Sequence, residues 1–416
     1  MKSITKKLKT IWWRGKSIGA MYYYGHPSRK MKIVGVTGTN GKTTTATLLY
    51  RVATALGYKA GLISTVENII AGKVAKTTNS KPVPGTTPDS VTLTKLFHEM
   101  AEAGCEYVFM EVSSHALDQG RVRGVNFVGG IFTNLTHDHL DYHKNFENYF
   151  GAKKKFFQML PENAFALSNT DDEYGDKMLE EIKTGKATYG FDGGEDFHGE
   201  IIKLDFSGLD LKINGINVET KLLGKFNAYN LLSVWSASEL LGFDMDKVKE
   251  ILKQITPPAG RFQHFISVSG VLVVVDYAHT PDALEKILIA IREIKPKDAK
   301  IISVFGCGGD RDPMKRKIMG KIGAMISDLA IFTSDNPRSE DPEKIIEQMK
   351  EGLFPEDFKK VKTISNRHEA ILESVKLAQK GDIILCAGKG HEDYQEIKGV
   401  KHHFDDVEEF KKLYQV

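Results

Sequence analysis

From Lys32 to Val36 the chain runs apolar, then turns through glycines, and then sets Leu48, Leu49, Val52, Ala55 and Leu56 at helical spacing until Gly57. That pattern predicts a strand, a loop and a helix. Two later stretches, "YVFMEVSSH" and "GGIFTNLTHDHLDYH", are apolar runs that end in polar, ligand-like residues, as parallel strands of an α/β domain do. Between 197 and 223 the pattern alternates on either side of Asn214-Gly215, a two-residue hairpin signal, and predicts a small antiparallel annex. A helix is expected over "AYNLLSVWSASELLG", and "ITPPAGRF" then breaks the chain.

Beyond the break the pattern resets. "VLVVVDYAHTPDAL", "KIISVFGCGGDRD", "DLAIFTSDNPR" and "GDIILCAGKGHE" are four apolar runs that each lead into a polar or glycine-rich turn. Between the first two, Leu284, Ile287, Leu288, Ile291 and Ile294 mark one face of an amphipathic helix. Open α/β sheets bind ligands outside the carboxyl ends of their strands, so these turns form the expected rim of a second domain. The fold expected is therefore α/β: a central P-loop ATPase-like domain with a parallel sheet and a small antiparallel annex, then a Rossmann-like C-terminal α/β domain. The boundaries read as a short N-terminal remnant over 1–30, a central domain over 31–257 and a C-terminal domain over 258–416. The two binding rims are expected to face each other across a cleft.

Composition adds little to that picture. The chain of 416 residues, 41% hydrophobic and 27% charged with a net charge of +3, is globular and argues for no nucleic-acid partner. Cys105, Cys307 and Cys386 are too few and too scattered for a disulfide framework or a thiolate metal site, which fits a reducing cytoplasm. The basic first thirty residues, with Trp12 and Trp13, contain no apolar run of signal-peptide or membrane-span length. A solvated lead-in helix without stable membrane insertion is expected there.

The chemistry starts at Gly38-Thr39-Asn40-Gly41-Lys42-Thr43-Thr44. A standard phosphate loop carries a glycine five residues before the glycine of Gly-Lys-Thr, and Val36 stands at that position here. The shorter loop still offers backbone N–H groups at a helix N-terminus, a lysine for the β/γ-phosphates and a hydroxyl for Mg²⁺. Read alone, "THDHLDYH", with His137, His139, His143, Asp138 and Asp141, is also compatible with a zinc site. Any of Lys153, Lys154 and Lys155 fits a reactive or a solvated lysine, and Asn227 alone reads as a helix cap.

"GTNGKTT", "EVSSHALDQGR", "TNLTHDHLDYH", "YFGAKKKFF", "GKFNAYN", "AGRF" and "DYAHTPDAL", in this order, resemble the Mur ligases, ATP-dependent amide ligases of peptidoglycan precursor synthesis. "FGCGGDRD", "DNPR" and "GKGHE" are similar to the branch that adds meso-diaminopimelate. The resemblance implies attack of a substrate carboxylate on the γ-phosphate of ATP, attack of an amine on the acyl phosphate, and loss of phosphate. The acceptor it implies is UDP-N-acetylmuramoyl-L-alanyl-D-glutamate, a nucleotide-sugar peptide.

By the same resemblance Lys42, Glu111, His139 and Lys153 are catalytic. Thr43, Glu111, His139 and Lys153, the last as a carbamate formed with CO₂, hold Mg²⁺. ATP is bound by the glycine loop with Asn227, Asn230, Arg261, Asp276 and His279. Thr86, Thr87, Ser113, Gln119 and Arg121 hold the acceptor. Arg311, Asp335, Asn336, Pro337, Arg338, Gly388 and Glu392 hold the amino acid, an arginine favouring the distal carboxylate of diaminopimelate over the ammonium of lysine. Family members also carry an N-terminal domain that grips the uridine end; only Met1 to Lys30 precede the first strand here, so a protein partner replacing that domain is a further expectation. The competing readings are a related ligase of folylpolyglutamate or cyanophycin type and an inactive ATP-binding module.

Overall fold

A computed structural model describes residues 15–75, 86–136 and 140–415, with only the backbone of Leu140 and Asp141. The described part of the lead-in, 15–23, is helical and leaves Ile18, Tyr22 and Tyr23 exposed. No helix among the described residues is long and apolar enough to cross a membrane. The chain divides into two compact units. The first holds residues to Lys203, Leu209–Lys221 and Phe226–Ile255; the second holds Leu204–Gly208, Leu222–Lys225 and the chain from Thr256 on.

The first unit is built on β1 (Lys32–Thr37), β2 (Ala60–Ile63), β3 (Asn68–Ile70), β4 (Lys73–Val74), β5 (Tyr107–Glu111), β6 (Phe127–Phe132), β7 (Phe165–Asn169), β8 (Gly185–Gly190), β9 (Phe197–Asp205), β10 (Gly208–Ile213) and β11 (Ile216–Thr220). These make one sheet in the order β11-β10-β9-β8-β7-β6-β1-β5-β2-β3-β4. Its centre is parallel, and β1 lies between β5 and β6 with Val36 opposite both Glu111 and Ile131. β1 and β5 are buried almost throughout, which is why they read as continuous apolar runs. The helix Lys42–Ala55 buries Leu48, Leu49 and Val52 as its spacing requires, but Ala55 is exposed and Leu56 serves as the C-cap before Gly57.

The alternating region forms the predicted hairpin. Ile213 pairs with Ile216 across Asn214 and Gly215, whose φ values of 45° and 87° are those of a tight primed turn. This antiparallel annex is the outer edge of the same eleven-stranded sheet, which it joins because β9 pairs with β8 in parallel through Tyr189 and Gly190.

The second unit carries β12 (Gln263–Ile266), β13 (Leu272–Asp276), β14 (Ile301–Phe305), β15 (Leu329–Phe332), β16 (Val361–Thr363) and β17 (Ile383–Ala387) in the order β12-β13-β17-β14-β15-β16. All neighbours are parallel except β12 and β13. Alternate residues feed two cores. Leu272, Val274, Ile383 and Leu385 pack with Leu284, Leu288 and Ile291 of the helix Pro281–Ile294. Val273, Val275, Ile384 and Cys386 pack with Ile371, Phe410 and Tyr414 of the helices Arg367–Leu377 and Asp406–Tyr414. A two-stranded hairpin, β18 (Tyr394–Ile397) with β19 (Val400–His403), follows β17.

One ion pair pins the helix Met314–Ile326 to the turn after β15. The Arg316 guanidinium, 1% exposed, donates through Nη1 and Nη2 to both oxygens of Glu340, each at 2.8 Å. Those hydrogen bonds hold the Glu340 carboxyl down at about 2. A carboxyl whose folded-state value lies below its unfolded one stabilises the fold at higher pH, and that stability disappears as pH falls from about 4.5 toward about 2. Glu340→Gln should therefore lower the unfolding temperature at pH 7 by an amount equivalent to about 1–3 kcal/mol, the range for charge-assisted hydrogen bonds. The gap to the unaltered protein should close between about pH 4.5 and pH 2.5. Thermal unfolding followed across that range checks it; a gap independent of pH would mean the pair carries no ionic contribution.

Candidate active site

In the first unit the glycine loop closes against the end of β6. Gly38 adopts φ 153°, and a Cβ there would stand 1.9 Å from Thr133 Oγ1. Gly41 caps the helix at φ 85°, and a Cβ there would meet Asn230 Oδ1 at 2.5 Å. Only glycine fits two such positions. Thr133 Oγ1 donates to the carbonyl of Asn40 at 2.6 Å, and Asn134 Oδ1 accepts from the Asn40 N–H at 2.9 Å. The Thr39 N–H donates to the Asn134 carbonyl at 2.8 Å. Lys42 Nζ donates to the carbonyls of Gly38 and Thr39 at 2.8 and 2.7 Å, so its ammonium lies over the loop.

Glu111, the last residue of β5, is fully buried beside the start of that helix. Its Oε1 accepts from Thr43 Oγ1 at 2.9 Å and from the Thr65 N–H at 2.6 Å, while Oε2 is buried with no hydrogen-bond partner. A buried carboxylate oxygen left so is costly unless a cation or donor completes it. From Glu111 a chain of hydrogen bonds runs outward: Thr87 Oγ1 donates to the Glu111 carbonyl, the Ser113 N–H donates to Thr87 Oγ1, and Arg121 donates to the Thr87 carbonyl and to Gln119 Oε1. Thr86 joins through Thr65 Oγ1 at 3.1 Å.

The helix Phe146–Gln158 carries the three consecutive lysines. Lys153 is 1% exposed, donates to the Gly38 carbonyl at 2.7 Å and lies 4.6 Å from the centre of the Tyr149 ring. Lys154 and Lys155 instead pair with Glu180 and Asp118. Asn227 and Asn230 are buried and bonded to each other at 3.0 Å. The helix starts at Lys225, so Asn227 lies inside its first turn and is not its cap.

The remaining residues belong to the second unit, Arg261 just before β12 and the others at or beyond the carboxyl ends of β13, β14, β15 and β17. Asp276 accepts from the N–H groups of Phe262 and Ala278 at 2.7 and 2.8 Å, and burial pushes its carboxyl up despite the nearby Arg261. The Arg261 guanidinium lies 5.1 Å from the Tyr277 ring centre, with Nε buried and unpartnered. His279 is held by the Tyr277 carbonyl, and burial pulls it below its ordinary value, toward the neutral form. Asp335 Oδ1 accepts from the Asn336 N–H, whereas its Oδ2 is buried with no partner beneath Gly388, where a Cβ would stand 2.6 Å away. Asn336 Nδ2 donates to Glu392 Oε2 at 2.7 Å. Arg338, at φ 50°, donates to the Gly309 carbonyl, sits 3.4 Å from Glu396, and joins the edge of the β18–β19 hairpin. Pro337 is buried and Arg311 exposed.

Residues 36–238 match the Mur ligase middle domain and residues 260–390 the Mur ligase glutamate ligase domain. The chain belongs to the Mur ligase family. It is 52% identical over 392 residues to the UDP-N-acetylmuramoyl-L-alanyl-D-glutamate--2,6-diaminopimelate ligase of Parabacteroides distasonis, covering 94% of this chain and 79% of that one. The first such ligase of Clostridium acetobutylicum is 43% identical, covering 93% and 78%. A solved structure of a ligase with the same name superposes at a TM-score of 0.67 with 35% identity, over 92% of this chain and 78% of that chain. Folylpolyglutamate synthase of Thermotoga maritima shares the fold at a TM-score of 0.68 with 16% identity.

The Mur ligase sites expected from sequence thus group within each unit. The phosphate loop, Glu111, Lys153, the two asparagines and the Thr86-to-Arg121 set meet in the first. The ATP set is divided, since Arg261, Asp276 and His279 belong to the second unit with the amino-acid set. His137, Asp138 and His139 lie outside the described residues. His143 is buried against Ser114 Oγ at 3.0 Å. Among the described residues no group of three or more His, Cys, Asp or Glu side chains could hold a metal.

Sequence reasoning passed over Thr133 and Asn134, although both stand in a quoted motif, directly after an apolar run. Removing the Thr133 hydroxyl at constant shape leaves the Asn40 carbonyl short of its closest donor. At about 1–3 kcal/mol for such a loss, Thr133→Val should raise the KM for ATP roughly 5- to 100-fold in this Mur ligase. Steady-state kinetics at saturating second substrates tests it, and an unchanged KM would remove Thr133 from the phosphate site.

Proposed function

We propose that this Mur ligase joins meso-diaminopimelate to UDP-N-acetylmuramoyl-L-alanyl-D-glutamate in the cytoplasm, converting ATP to ADP and phosphate, as a step of peptidoglycan precursor synthesis. The geometric support is the pair Asp335 and Glu392: a carboxylate oxygen with no partner, in the loop after β15 that also carries Arg338, beside a second carboxylate from the loop after β17. Such a site suits an amino acid with charges of both signs at separated ends. The shared identity with relatives of that printed name supports the same reading.

The reaction needs positioning and charge neutralisation more than covalent help. The acceptor carboxylate attacks the γ-phosphorus and ADP leaves; the amine then attacks the acyl carbon, loses a proton, and phosphate leaves. Lys42 and the loop N–H groups hold the phosphates, Asn227 and Asn230 with Arg261, Asp276 and His279 hold the rest of the nucleotide, and Thr86, Thr87, Ser113, Gln119 and Arg121 hold the acceptor. Glu111, Thr43, His139 and Lys153, the last as a carbamate, are the residues that would hold Mg²⁺. The unpartnered Glu111 Oε2 fits a cation. Bound there, Mg²⁺ supplies Lewis-acid neutralisation of the phosphate oxygens. Lys153 is almost completely buried against the Gly38 carbonyl, beside the glycine loop.

Mass spectrometry after incubation with this acceptor, ATP and an amino-acid mixture should find the diaminopimelate tripeptide together with ADP; no adduct would sink the reading. Arg338→Ala should lower kcat/KM for diaminopimelate roughly 30- to 1,000-fold while leaving lysine use flat, the scale of a lost desolvated bidentate contact. Because Arg338 also bonds to Gly309 and Glu396, an equal fall for both amino acids would assign it to the loop instead.

For the metal site the readout is stability rather than turnover. Mg²⁺ at about a hundred times its Kd should stabilise the protein by about 2.7 kcal/mol, and Glu111→Gln should abolish that shift. A shift that survives the substitution would place the ion elsewhere.

A further inference from the structure

Lys389 is absent from every residue set above, yet it is fully buried next to the amino-acid site. It stands two residues past β17, between Gly388 and Gly390, and its Nζ lies 3.7 Å from Glu392 Oε2. The same ammonium donates to the Tyr394 carbonyl and lies 5.4 Å from the centre of the Tyr394 ring. Burying a lysine at no exposure is expensive, and one peptide carbonyl with one carboxylate at this distance is modest compensation for an anchoring role alone. What the position does provide is a fixed positive charge behind two carboxylates that would otherwise face each other.

We propose that Lys389 is a positioning residue for the incoming amino acid. Its ammonium keeps Glu392 ionised and oriented, and it leaves the Asp335–Glu392 pair with one net negative charge to match one ligand ammonium. This rests on the amino-acid site read above. Asn336 Nδ2 and Lys389 Nζ both approach Oε2 of Glu392, so a ligand is offered Oε1.

The surroundings of Glu392 explain why it needs such help. Burial pushes its carboxyl up, and Asp335 pushes it further; Lys389, the Asn336 hydrogen bond and Arg338 pull it back. Tyr277, at the end of β13, faces the same carboxylate, and burial keeps its phenol protonated. Lys389 itself is drawn down by burial and then by Arg367, against Asp335, Asp406 and Glu392, which raise it. With the Lys389 charge gone, only Asn336 and the more distant Arg338 would oppose protonation of Glu392. Glu392 would then be protonated more easily, and ligand binding would strengthen with rising pH as it ionises.

Lys389→Gln separates the two roles, since the amide still donates to the Tyr394 carbonyl but carries no charge. The expected result is a KM for diaminopimelate raised at least about tenfold at pH 7, falling as pH rises from about 6.5 to about 9, with the KM for ATP unchanged. The unaltered enzyme should show a flat amino-acid KM over that window. In a Glu392→Gln background the same substitution should add nothing, because its route is through that carboxylate. A Lys389→Gln protein that fails to fold, keeps a flat and normal KM, or adds its full effect in the Glu392→Gln background assigns Lys389 to the scaffold and overturns the proposal. If the unaltered protein itself releases no phosphate with diaminopimelate, it is the reading of the site that falls.

Discussion

The hydroxyl of Thr133 and the amide of Asn134, one residue and two residues past β6, set the shape of the phosphate loop, and much of the first unit follows from that contact. A loop of consecutive N–H groups at a helix start is useful only if it is held open against collapse onto its own carbonyls. Here the carbonyl and N–H of Asn40 are bonded by the neighbouring strand end, and the Thr39 N–H by the Asn134 carbonyl. Such close approach excludes any side chain at Gly38. It also requires β6 to lie next to β1 in register, which is where the parallel pairing puts it.

The second unit meets a comparable need with charge. Arg367 and Asp406, both with fully buried side chains, form a bidentate pair at 2.7 Å. The same guanidinium donates to the Ser334 and Ala387 carbonyls, the residues just before Asp335 and Gly388. The chain just past two strand ends, where the proposed amino-acid site begins, is thereby tied to two helices on one face of the sheet. Breaking a pair of this kind leaves an uncompensated buried charge, whereas replacing both members with apolar groups often does not destabilise. The contribution of the pair is thus chiefly one of geometry.

The elements legible in the sequence were those whose cause is local. Strands buried on both faces read as apolar runs, and the Asn214-Gly215 turn announces its hairpin. What joins that hairpin to the main sheet is the edge pairing of β9 with β8, which leaves no periodic signal. Arg367 and Asp406 stand 39 positions apart on two helices, and each alone reads as an ordinary charged residue. Lys153 was more legible than composition alone suggested. Tyr149, Ala152, Lys153 and Phe156 are buried at positions i, i+3, i+4 and i+7 of one helix, so a lysine occupies the apolar stripe and its two lysine neighbours, rotated about 100° and about 200° from it, do not.

The distribution of buried charge separates scaffold from site. Where a buried charge is structural, its partners are inside the protein: Arg367 has Asp406, and Arg316 has Glu340. Among the described residues the buried carboxylate oxygens without a hydrogen-bond partner are Glu111 Oε2 and Asp335 Oδ2, one in each unit. An unmet acceptor of this kind costs stability in the free protein, and a cation or a donor in a ligand removes that cost only when it binds. Selection for stability alone would have replaced both carboxylates or supplied them with partners. Glu111 closes β5 and Asp335 lies three residues past β15, so the two unmet oxygens stand where open α/β sheets bind ligands, and they support the proposed sites on physical grounds, independently of any likeness between sequences.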